Sequence, residues 1–188
     1  MNKPTNYDNT QANGSWTALP AGGYVCKIIS AKEEESSQGR PVLVVAFDIA
    51  EGTEAGRFQR EFNADTRENK KWPNSGVYRQ PTEKADGTCN PFFKGLMTSI
   101  EESNSGWKPV WGEGFCNALQ GKMVGMVVGR EQYRKQNGEL AWSMKARFVH
   151  SVDKIRAGVE PPEDKYIDAT ASGFTEPANS GFNGRLPF

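Results

Sequence analysis

Apolar positions in this chain alternate in some stretches and recur with helical spacing in others. "YVCKIISA" (24–31) is rich in branched and aromatic residues and predicts a first strand. "PVLVVAFDIA" (41–50) is apolar on both alternations as far as Phe47, the pattern of a central strand covered on both faces. "RFQREF" (57–62) alternates strictly, with Phe58 and Phe62 on one side, and predicts a third strand. Residues 63–90 show little periodicity and predict one long loop. In "PFFKGLMTSIEESN" (91–104), Pro91 suits a first helical turn, and Phe93, Leu96, Met97 and Ile100 recur at helical spacing. "FCNALQ" (115–120) suits a short helix ending at Gly121. Two further strands, 122–134 and 140–152, flank Asn137-Gly138, a strong hairpin signal.

Three strands, a helix and two more strands match an OB-fold, a five-stranded Greek-key barrel. Here it would be a mainly β fold with one or two helices and a long insertion between strand 3 and the helix. A β-sandwich would show about seven short strands. Residues 1–18 are polar and predict a loose arm, residues 19–158 the domain. Residues 159–188, crowded with Gly, Pro, Ser, Asn and acids, predict a flexible acidic tail.

The chain has 188 residues and zero formal net charge, but the signs are unevenly spread. Residues 31–65 hold four basic and eight acidic groups, a net of −4; residues 66–94 hold six against three, a net of +3. Residues 121–156 hold eight against three, a net of +5, and residues 157–188 hold two against five, a net of −3. A neutral total of this kind conceals a basic face beside an acidic tail.

A two-residue type I′ turn at Asn137-Gly138 would set Tyr133 opposite Trp142 and Glu131 opposite Met144. It would then gather Arg130, Arg134, Lys145 and Arg147 on the other face, with Arg130 directly opposite Lys145. Like charges across a ladder are destabilising by a few tenths to ~1 kcal/mol, and a row of phosphates would offset that. The long loop interleaves Arg67, Lys70, Lys71 and Arg79 with Trp72 and Tyr78. Cations that follow a phosphate backbone, and rings that stack on bases, are what single-stranded nucleic acid binding requires. Arg60 either stacks beside Phe58 and Phe62 or closes a barrel end. For each group a plainer alternative stands: a solvated hairpin face, and Trp72 and Tyr78 packed back onto the domain. Trp107 and Trp111 read as packing.

"LPAGGYVCKI", "GRFQREF", "WPNSGVYRQ", "FKGLMTSIEESN" and "RFVHSVDKIRAG" resemble small OB-fold single-stranded DNA-binding proteins of bacteriophages and integrated elements in Gram-positive bacteria. The resemblance covers roughly residues 19–158. It implies a replication or recombination accessory that coats single-stranded DNA in the bacterial cytoplasm. The end of the chain, Leu186-Pro187-Phe188 after an acidic stretch, resembles the partner-docking tip of bacterial single-stranded DNA-binding proteins, although Arg185 stands where those tails carry an acid. That implies replication or recombination proteins as partners, and leaves homo-oligomers open.

Other classes find little support. Cys26, Cys89 and Cys116 form no CxxC pair, and His150 is the sole histidine, so neither a disulfide framework nor a zinc site is expected. No P-loop, GxSxG or HExxH is visible, and neither an enzyme nor a cofactor is expected. "EEE" at 33–35 reads as a solvated charge run. No apolar run reaches the ~20 residues needed to span a bilayer. The competing reading is a non-catalytic β-barrel that serves protein interaction or forms a virion component, with a carbohydrate-binding module as a weaker third.

Overall fold

The computed structural model describes residues 1–5, 7 and 17–167. Five strands form one antiparallel sheet: β1 (Gly22–Glu35), β2 (Pro41–Ile49), β3 (Val77–Pro81), β4 (Met123–Arg134) and β5 (Leu140–His150). Four helices accompany them: α1 (Arg57–Ala64), α2 (Pro91–Ser103), α3 (Phe115–Leu119) and α4 (Val152–Arg156). The spatial order is β3-β2-β1-β4-β5.

β2 is an interior strand, next to the edge strand β3, and is buried as its two-faced apolarity predicts. Leu43, Val44, Val45, Ala46 and Phe47 are all wholly buried. α2 begins where Asn90 accepts a hydrogen bond from Phe92 N (2.9 Å), with Pro91 in the first turn. Its Phe93, Leu96, Met97 and Ile100 enter the core. Asn104 ends it, donating to the carbonyls of Ile100 (2.7 Å) and Met123 (2.8 Å) and accepting from Met123 N (2.9 Å). The helix terminus is thereby tied to the start of β4.

The barrel expectation is overturned. The sheet is open, and four helices replace the one or two expected. β3 and β5 approach one another, but among the described residues no ladder joins them. One cause is local. "RFQREF" folds as α1 and not as a strand. Two Phe residues four apart share a face in a strand and in a helix alike, so the pattern is ambiguous. What decides it is Asp48, at the end of β2. Its carboxylate accepts from the first-turn amides of Phe58 (2.9 Å) and Gln59 (3.1 Å), and from its neighbour Ile49 (2.8 Å). Gly56, the residue before α1, offers no side-chain cap. Asp48 therefore caps the helix from a distance.

The third strand lies inside the supposed loop. β3 has five residues, pairs with β2 from Ala46↔Val77 to Val42↔Pro81, and ends at a proline. Pro81 at its end has no N–H to offer a further ladder, and among the described residues the one ladder of β3 is to β2. The resemblance to OB-fold single-stranded DNA-binding proteins implied a closed barrel with one or two helices, and the open sheet and four helices contradict it.

Candidate ligand-binding groove and the predicted basic face

The hairpin turn takes three residues, not two. Lys135 N donates to Glu139 O (2.8 Å) and Gly138 N to Lys135 O (2.9 Å), with Gly138 at φ 86°. This is a type I turn closed by a left-handed glycine. Pairing in the distal hairpin consequently slips by one residue. Arg130 faces Met144, Gln132 faces Trp142, and Gly129 faces Lys145. A shift between Val127 and Val128 leaves Arg147 with no residue opposite it in the ladder and restores Val127↔Phe148.

The slip divides the four cations. Arg130 and Arg134 share a face with Trp142 and Leu140, whereas Lys145 lies on the other face with Glu131 and Ser143. Each has a partner. Arg130 pairs with Asp164 and sits 4.5 Å from the Trp142 ring centre. Arg134 donates to Gly138 O (2.9 Å). Lys145 reaches Glu131 (4.0 Å), and Arg147 donates to the carbonyl of Glu163 and lies 5.5 Å from the Phe148 ring.

The loop residues are likewise engaged. Trp72 is 2% exposed, and its indole N–H donates to Phe47 O (3.1 Å). No ring face is left for a base. Tyr78 packs partly buried against the core and donates to Gln80 Oε1 (3.0 Å); burial raises its pKa. Arg79 pairs with Glu34. Arg67 grips Asp65 (2.7 Å), and that hydrogen bond holds the Asp65 carboxyl at about 2. Lys70 lies 5.9 Å from the Phe62 ring, Lys71 is half-buried, and Arg60 donates to Ala55 O. Leu186, Pro187 and Phe188 lie outside the described residues. Single-stranded DNA coating therefore loses both supports, the closed barrel and the collected cationic face. The β-barrel interaction or virion reading loses the same barrel.

A different site appears across β1. The C-terminal half of β1, the bend around the Glu83–Cys89 bridge, the first turn of α2, and residues 111–116 enclose an open groove of about 860 Å³. Its floor is aromatic. Trp111 and Phe115 stack with ring centres 5.1 Å apart and planes 8° from parallel, and Phe93 meets Trp111 at 6.3 Å and 62°. Phe93 and Phe115 are buried, whereas Trp111 is 64% exposed. Phe115 covers one face of the indole, and the exposed Trp111 borders the groove.

Glu33, Glu83 and Glu113 line this space and are exposed; among the described residues none has an ion-pair partner. Lys32, also lining, is held by Glu34 (2.6 Å). The groove is thus lined by aromatic rings together with three glutamates and one lysine. Two thiols border it. Burial, then the charge of Glu33, pushes Cys116 up, which keeps it protonated and a poor nucleophile. Among the described residues, no group of three or more His, Cys, Asp or Glu is placed to hold a metal. None of those helices is long and apolar enough to cross a membrane.

Sequence reading missed this site because its lining comes from four separated segments. The only local signals were Trp111, read as packing, and the Glu33–Glu35 run, read as a solvated face. No protein-family model matches the chain, and the search of curated proteins returned no match.

Proposed function

We propose that the protein is a non-catalytic binding module whose groove takes a small organic polycation, an amine or guanidine compound with two or more positive charges. The carrying observation is the exposed Trp111 in one groove with three carboxylates that have no ion-pair partner among the described residues. A cation over an indole face is attracted by the ring quadrupole, worth about 0.5–2 kcal/mol depending on desolvation. Three carboxylates lining one groove favour several charges over one. The groove's size falls in the range of small-molecule sites, ~300–1,000 Å³. A protonated Cys116 supports binding over thiol chemistry at the same place.

Calorimetric titration with spermidine and with argininamide, each against its fully acetylated or uncharged analogue, tests this reading. Saturable binding of the charged compounds is expected, weakening with salt. Glu83→Gln combined with Glu113→Gln should weaken it several-fold. Absence of saturable heat with both polycations, or equal binding of the neutral analogues, overturns the proposal.

A further inference from the structure

β4 is longer than its neighbour on one side. Its pairing with β1 ends at Gly22↔Val128, so the edge of residues 129–134 that faces away from β5 has no strand of the sheet beside it. The chain returns to fill that edge. Lys165 N donates to Arg130 O (3.0 Å) and Gln132 N donates to Lys165 O (2.8 Å), a parallel bridge centred on Glu131. Side chains fix its register. Asp164 pairs with Arg130, Lys165 with Glu131 (2.6 Å), and Tyr166 meets Trp142 edge-on at 5.1 Å and 84°.

The sheet is shaped for this strap. A Cβ at Gly129 would overlap the Pro162 ring and press on Arg147, and a Cβ at Gly23 would overlap the Val159 methyl. The two glycines lie where residues 159–162 cross. The strap leaves the domain at Gly158, which follows α4, is exposed, and adopts φ 100° with open space around it. A glycine there can redirect the chain without a steric cost. Strap and edge therefore form a complementary pair joined at Gly158, whose N–H donates to Ile155 O (3.0 Å), and such a pair can close within a chain or between two chains.

We propose that the distal edge of β4 is a strand-addition site, and that its partner is the strap of a second copy of this chain, residues 159–167, exchanged reciprocally to form a dimer. Recognition is by parallel main-chain pairing at Glu131, with Arg130 reading the acid, Glu131 the lysine and Trp142 the tyrosine. This inference is independent of the groove ligand.

Two full-length variants test it. Asp164→Arg places like charges on strap and edge within its own chain, as does Arg130→Asp. Each alone should be monomeric by light scattering. Mixed, each strap finds the opposite charge only on the other chain, and the mass should double; the wild type should show a dimer fraction that rises with concentration. A labelled peptide of residues 159–167 should bind Asp164→Arg, whose edge retains Arg130, at least tenfold more tightly than it binds wild type, whose own strap competes. Should the Arg130→Asp change disturb the hairpin, this peptide measurement still decides the strand-addition site, and the wild-type concentration series decides the partner. No peptide binding to Asp164→Arg overturns the site. Peptide binding with a mixture and a wild type that both stay monomeric overturns the second copy as its partner.

Discussion

The groove and the hairpin are built from the same materials, aromatic rings and charged side chains, and they differ in how much of each is already used. On the hairpin, Arg130 has Asp164 and the Trp142 ring, and Trp142 in turn has Tyr166. In the groove, Trp111 stays exposed and Glu33, Glu83 and Glu113 lack ion-pair partners among the described residues. The lesson concerns composition. A cluster of cations in sequence marks a ligand site only if the fold leaves the cations unsatisfied. This hairpin satisfies Arg130 and Arg147 through the strap, and Arg134 and Lys145 through its own turn and Glu131.

The comparison can be broken most forcefully at a third indole. Trp72→Ala removes a buried ring and orphans the Phe47 carbonyl. A loss of about 3–5 kcal/mol in denaturant unfolding is expected. A near-neutral result would return Trp72 to the surface. Smaller and more selective is the pair Trp111→Ala and Trp142→Ala. The first should weaken polycation binding by about tenfold, near 1.4 kcal/mol, while the second leaves it unchanged. Equal effects would erase the distinction between open and occupied rings. The smallest effect is on pH dependence. His150, half-buried on β5, has its pKa lowered by burial and then by Lys154. Between its folded value and the ordinary ~6.5, the unfolded chain binds more protons. Stability should therefore be complete above ~6.5 and decline as pH falls through that window. His150→Gln should flatten the decline in thermal melts measured from pH 7.5 to 5. It should leave groove binding at pH 7.5 unaltered.

The parts legible in the sequence were those whose signals are local. β1, β2, α2 and the two hairpin strands were each marked by a periodicity, and α2 by Pro91 in its first turn. What was misread depended on distant or small events. α1 is decided by Asp48, ten residues before Phe58 in sequence. β3 is too short to show a period, and Pro81 at its end resembles loop chemistry. The hairpin register turned on one residue in the turn, and that single step moved Lys145 to the opposite face from Arg130. The groove was illegible for a further reason. Phe93, Trp111 and Phe115 are ordinary apolar residues until folding brings them to one groove with Glu33 and Glu83.

The distant cap of α1 also bears on the order of assembly. The helix has eight residues, too few to persist alone in water. Its opening amides are accepted by a carboxylate that reaches them only once β2 is seated, so the segment 57–64 has no reason to coil early. Its shape depends on the seated sheet, and removing the Asp48 carboxylate should loosen α1 before the sheet.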